Sequence, residues 1–248
     1  MKKYIILLSI IGVYLLGMYI WYIHDKNDNL YLIVRNNTIW SLHRNKWTNH
    51  SLSYHKEIDW TKFNIYSDGK SIGKYKVWYD EQWYVFDDKN QPVIFDGELF
   101  AYQSPNNIKA ISFKPKAIEN FKYVNALLNK YNINIDNNYT ISNVISADID
   151  SDKQKEDIYL VSNAFSETTT GKYYTFAFMV KNNKVYTIYN KTNDGFYESC
   201  LPYIDGIIDT DSNGKYELVF TCARFSRKKP INRLYEFKNN RFNELISN

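Results

Sequence analysis

The sequence lacks the signatures of the commonest enzyme chemistries. It holds no G-x-S-x-G elbow, no Walker-type phosphate loop, no dinucleotide fingerprint and no H-E-x-x-H zinc helix. Histidine is scarce, with only His24, His43, His50 and His55. His50 and His55 lie near Glu57 and Asp59, but in a segment without helical pattern, at a spacing that matches no common zinc site. A strong excess of one charge is also missing: 31 basic residues face 27 acidic ones, a net +4, so nucleic acid is not an expected partner. Cysteine is limited to Cys200 and Cys222, with no histidine close by in sequence, which argues against a thiol nucleophile. Beyond residue 23 no second long apolar run occurs, so at most one membrane crossing is expected.

That one run is Tyr4–Ile23, twenty residues without a charge. At about 1.5 Å per residue it matches a hydrocarbon core of roughly 30 Å. Lys2 and Lys3 precede it, which predicts a cytoplasmic N-terminus and an exported remainder. Trp21 and Tyr22 suit an interfacial aromatic belt. A cleaved signal peptide is the competing reading, but the run ends in bulky residues rather than at a small-residue cleavage site. Residues 1–28 thus read as a cytoplasmic tip and single-pass membrane anchor.

The rest reads as mainly β. Aromatic residues make up 17% of the chain, which favours strands over helices. Residues 29–113 alternate short apolar runs ("LYLIV", "TIWSL", "KYKVWY", "WYVF", "VIF", "ELFAY") with turn residues, the rhythm of a β-meander. Residues 114–248 open with one amphipathic helix over about 116–131, where Ile118, Phe121, Val124, Leu127, Leu128 and Tyr131 recur at helical spacing. Strands then resume, with Asn182-Asn183 and Asn239-Asn240 as hairpin turns. The stretches 29–113 and 114–248 form two regions that can also belong to one domain.

Two acidic stretches stand out. "DTDSNGKYELVF" begins at Asp209, and "DIDSDKQKEDIY" begins 61 residues earlier at Asp148, as in an internal repeat. Calcium takes six to eight oxygen ligands, and side chains at alternate positions of a tight loop converge on one point. In the second loop the donors would be Asp209, Asp211, Asn213, the carbonyl of Lys215, and Glu217, with Gly214 supplying a positive φ. In the first they would be Asp148, Asp150 and Asp152. There Glu156 and Asp157 compete for the last position as though one residue were inserted, and Lys153 replaces the glycine. Lys153, Lys155 and Lys172 would offset part of the charge. An EF-hand is excluded, because position 12 is Phe220 or Tyr159 and the flanks read as strands. Asp and Asn also build turns by bonding their own backbone, so a polar turn without an ion stands beside the metal reading.

The pattern D-x-D-x-[DN]-G-x-x-[DE] followed by an apolar strand resembles the FG-GAP/VCBS repeat over about residues 139–248, and "RLYEFKNNRFNEL" resembles its closing hairpin. The resemblance implies propeller-like sheets with calcium held between strands by Asp209, Asp211, Asn213 and Glu217.

A turn centred near Asp211 would set Cys200 and Cys222 nearly opposite on paired strands, where a disulfide is geometrically feasible and, outside the membrane, persistent. The basic run Arg224, Arg227, Lys228, Lys229 and Arg233 reads as a solvated loop, and the tryptophans as packing residues or a glycan platform. These features predict a membrane-anchored, extracytoplasmic binding or scaffolding module for a surface protein or glycan, with calcium as stabiliser. An exported enzyme acting on wall material and an accessory subunit of a membrane complex are the alternatives.

Overall fold

A computed structural model describes residues 29–35, 38–50, 58–104, 108–135, 139–166, 172–193, 199–224 and 229–248, with Met18 and Lys56 as single residues. The apolar run Tyr4–Ile23, Met18 apart, lies outside the described residues. Among the described residues no helix is long and apolar enough to cross a membrane.

The chain is mainly β, in three open antiparallel sheets with one helix among the described residues. Sheet 1 holds β1 (Leu30–Val34), β2 (Thr38–His43), β3 (Lys46–His50), β4 (Lys62–Ser67), β5 (Lys70–Asp80), β6 (Gln82–Phe86) and β7 (Leu99–Gln103). Its order is β3-β2-β1-β7-β4-β5-β6, so the expected single meander is two meanders joined by β7. The reason lies in "LFAY": Leu99 to Tyr102 are all buried, and a strand with no polar face belongs in a sheet centre. The "VIF" run forms no strand. It follows Pro92, which cannot donate to a ladder, and Ile94 is 94% exposed.

Sheet 2 holds β9 (Lys116–Ala117), β10 (Ile141–Ala147), β11 (Glu156–Ser162), β12 (Tyr173–Lys181) and β13 (Lys184–Asn193). Sheet 3 holds β8 (Lys109–Ala110), β14 (Cys200–Asp209), β15 (Glu217–Arg224), β16 (Ile231–Lys238) and β17 (Arg241–Ser247). Asn182 and Asn183 close the β12–β13 hairpin, and Asn239 and Asn240 the β16–β17 hairpin, all four with positive φ. Asn tolerates that region because its short side chain bonds locally.

Sheet 3 lies between the other two. Ile208, Val219 and Leu234 pack with Leu32, Trp40 and Phe100 of sheet 1. Their neighbours Ile207, Leu218 and Tyr235 pack with Ile145, Ile158, Leu160 and Met179 of sheet 2. The period-2 alternation of a strand buries both faces of β14 and β15.

The outer face of sheet 2 (Tyr159, Val161, Tyr174, Phe176 and Phe178) is covered by α1 (Lys122–Lys130). This helix is shorter than the span 116–131. Lys116 and Ala117 instead pair with Val144 and Asn143, and the Ile118 amide donates to the Ser142 carbonyl at 3.2 Å. Residues that fill an open sheet edge gain bonds at once, whereas helix nucleation is costly. The helix begins where Asn120 Oδ1 accepts the Lys122 amide at 3.0 Å. Its fully buried Val124 and Leu128 contribute about 1.5–3 kcal/mol each, and Leu128→Ala would cost about 2–5 kcal/mol.

Candidate functional site

The two acidic loops are congruent at a constant offset of 61 residues. Glu156 Oε2 accepts the Ile149 amide at 2.8 Å, and Glu217 Oε2 accepts the Thr210 amide at 2.8 Å. Asp148 Oδ2 accepts the Lys153 amide at 3.0 Å, as Asp209 Oδ2 accepts that of Gly214 at 3.0 Å. Asp152 Oδ1 accepts the Gln154 amide, and Asn213 Oδ1 that of Lys215. Lys153 takes φ 70° where Gly214 takes 84°, so the lysine adopts the left-handed turn despite its Cβ. The inferred insertion in the first loop is therefore absent. Glu156 occupies the last position, while Asp157 turns to the other strand face and accepts from Ser146 at 2.5 Å.

The loops also touch each other. The Tyr216 amide donates to the Ile149 carbonyl at 2.8 Å, and Ser151 Oγ donates to the Gly214 carbonyl.

They differ in charge. In the first loop the Lys181 ammonium reaches Asp150 Oδ2 at 2.5 Å, Asp152 Oδ2 at 2.7 Å and Glu156 Oε1 at 3.0 Å. Burial works against this ammonium, but the three carboxylate bonds outweigh it and raise its pKa. The offset comes from Lys181 rather than from Lys153, Lys155 or Lys172. Ligand-capable oxygens of Asp148, Asp150 and Glu156 all lie within 4.8 Å of one another. Asp148 Oδ1 and Asp150 Oδ1 are buried and have no hydrogen-bond partner among the described residues.

In the second loop, continuing the β15–β16 register by one residue from Leu218↔Tyr235 sets Glu236 opposite Glu217, where Lys181 stands opposite Glu156. Among the described residues no cation pairs with Asp209, Asp211 or Glu217. Burial pushes the Glu217 carboxyl up to about 7; the Thr210 bonds oppose this, and the negative Asp211 and Asp209 add to it. Asp209 Oδ1 and Asp211 Oδ1 accept the Asn213 amide at 3.0 and 3.1 Å. An all-oxygen set of this kind suits a hard cation such as calcium. Its oxygens are turned to loop amides, and among the described residues only the first loop gathers three carboxylates closely.

Cys200 and Cys222 are joined by a disulfide, with Cα atoms 5.4 Å apart. They sit diagonally rather than directly opposite, because Cys222 pairs with Pro202 and Cys200 with Arg224. The ladder skips Asp205 between Ile204 and Gly206, a β-bulge of the kind that re-aims a side chain.

That side chain builds a site that sequence reasoning missed. Asp205 accepts from Arg35 Nε at 3.1 and 3.2 Å and from the second guanidinium nitrogen at 3.0 Å, and Thr221 Oγ1 donates to it. Arg35 lies 4.5 Å over the Tyr203 ring. Burial opposes its charge, and Asp205 and Glu98 more than restore it, so its pKa is raised. This pair walls a cavity of about 400 Å³ where the three sheets meet. Phe113, Ile145, Leu160 and Ile204 supply apolar lining, and Asp68, Lys70, Glu98 and Lys114 supply charged groups. The segment carrying Phe113 and Lys114 is tied to sheet 1 by the Phe113 amide on the Gly69 carbonyl, and to sheet 3 by the Ile111 amide on the Ile207 carbonyl. No short-range signal marks these residues, since 170 positions separate Arg35 from Asp205.

The remaining sequence candidates are dispersed. His50 shares a 2.7 Å hydrogen bond with Ser41, and His55, Glu57, Arg227 and Lys228 lie outside the described residues. Trp40 and Trp83 are buried, whereas Trp60, 48% exposed, stacks on Trp78 and meets Phe86 at a tilt. In comparisons with known proteins, no family model matches this chain, and no curated protein or solved structure matches it either.

Proposed function

We propose that this chain is a membrane-anchored, extracytoplasmic binding module, held by Tyr4–Ile23 and stiffened by calcium at the Asp209 loop, with sheets arranged in the FG-GAP/VCBS, propeller-like manner. The observation that carries this reading is the contrast between two otherwise congruent loops. One contains an ammonium among its carboxylates, and among the described residues the other has none. Bound there, calcium supplies the missing positive charge. Asp209, Asp211, Asn213, Glu217 and the Lys215 carbonyl are its proposed ligands, while Lys181 performs that service at Asp150, Asp152 and Glu156 beside Asp148. The disulfide supports an oxidising compartment. The cavity supports binding, and a surface protein or glycan remains the expected class of macromolecular partner.

The exported-enzyme reading draws on one observation, that the cavity gathers Asp68, Glu98 and Asp205 from separate segments. Binding is favoured over it because Asp205 is committed to Arg35 and Thr221, whereas acid–base work needs carboxyls free to exchange protons. Thermal unfolding of the full-length chain tests the proposal. Millimolar calcium should raise Tm by several degrees over chelator, and Asp209→Ala/Asp211→Ala should abolish the rise. An unchanged Tm in the parent protein would leave both loops as ordinary polar turns.

A further inference from the structure

The cavity at the junction of the three sheets has a definite chemical character. Its volume of about 400 Å³ lies at the small end of the range for small-molecule sites. The lining is mainly apolar, formed by Phe113, Ile145, Leu160 and Ile204. Among the described residues three cations and three acids line it, and how they pair decides what they offer a ligand. Arg35 is engaged by Asp205 at 3.0 Å and by Glu98 at 3.4 Å. Asp68 accepts the Glu98 amide. Lys70 and Lys114 lie on the β4–β5 hairpin and the crossing segment, and among the described residues their ammonium groups have no ion-pair or hydrogen-bond partner. The acids are mostly occupied and the lysines are not.

We infer that this cavity binds a small organic anion, with an apolar body against Phe113, Ile145, Leu160 and Ile204 and its carboxylate or similar group at Lys70 and Lys114. The inference rests on the binding role proposed above and names the ligand class. Arg35 remains with Asp205 and acts as a fixed wall, its guanidinium carbon 4.5 Å over the Tyr203 ring. Two solvent-facing lysines contribute modestly each, together about tenfold in affinity.

Ligand-observed NMR titration on the full-length chain in nanodiscs, with empty discs as blank, tests this. The probes are 4-phenylbutyrate, its neutral isostere 4-phenylbutyramide, and octanoate. Phenylbutyrate should bind about tenfold more tightly than the amide. Lys70→Ala/Lys114→Ala should erase that difference while leaving amide binding unchanged. Asn143→Trp, which fills the cavity from a half-buried position, should remove both at an unaltered Tm. Octanoate binding in place of phenylbutyrate would assign an aliphatic body and uphold the proposal. Equal affinity for acid and amide would overturn the anion assignment and leave the binding role standing. Failure of all three probes to bind would overturn the ligand assignment, while the calcium-dependent Tm tests the module reading separately.

Discussion

Replacing Lys181 by Met removes the one cation among the described residues that is bonded to Asp150, Asp152 and Glu156, while keeping the apolar stem. The Glu156 side chain is 2% exposed and the Lys181 side chain 15%, so the pair is close to buried. Removing one partner of a buried pair costs about 3–5 kcal/mol. Asp150 is 22% exposed and Asp152 more open still, which lets water compensate in part and points to the lower end, about 3 kcal/mol. For a chain of this size each kcal/mol moves Tm by about 2–4 °C, so Lys181→Met should melt about 6–12 °C lower in chelator. With the ammonium gone, the clustered oxygens of Asp148, Asp150 and Glu156 should accept a divalent cation. Differential scanning calorimetry in EDTA and then in millimolar calcium reads both effects. Calcium, which should raise the parent as well, should close most of the gap between variant and parent. A drop under about 2 °C, or a loss that calcium leaves untouched, would refute the idea that Lys181 stands in for a metal ion.

Glu217→Gln should have opposite effects in the two conditions. Because burial raises this carboxyl from 4.5 to about 7, the stability it contributes is fully present below pH 4.5 and is lost as pH rises through 7. In chelator the parent should therefore weaken between pH 5 and 8 in urea titrations while the Gln variant does not; calcium should rescue only the parent, and parallel pH profiles would contradict the assignment. Cys200→Ala/Cys222→Ala should cost about 3 kcal/mol in denaturant titration, as expected for a loop spanning 22 residues. Arg35→Met should cost about 3–5 kcal/mol by stranding Asp205, and Arg35→Met/Asp205→Leu should recover most of it. A double variant as weak as the single would show that the pair itself, rather than its broken half, matters.

The local devices were legible in the sequence, and the long-range ones were not. Asn182-Asn183 and Asn239-Asn240 declare hairpins because few other residues tolerate φ near 55° in pairs. The Val124 and Leu128 stripe declares its helix, since burial on one face leaves a periodic trace. That helix starts later than its stripe suggests because Lys116 and Ala117 answer to an open edge of sheet 2, a demand set by residues 143–144. The acidic spacing marks both loops, but the cation serving the first comes from the end of the next strand. It is visible only once Glu156 is seen to face Lys181 across β11 and β12. Arg35, Asp205 and the cavity left no pattern, because a bulge and three separate sheets bring them together.

Calcium stoichiometry, measured by equilibrium titration of the full-length chain, bears most directly on the two-loop account. The prediction is one ion per chain, lost in Asp209→Ala/Asp211→Ala, with a second site appearing in Lys181→Met. No bound calcium in the parent, or two ions despite Lys181, would contradict it.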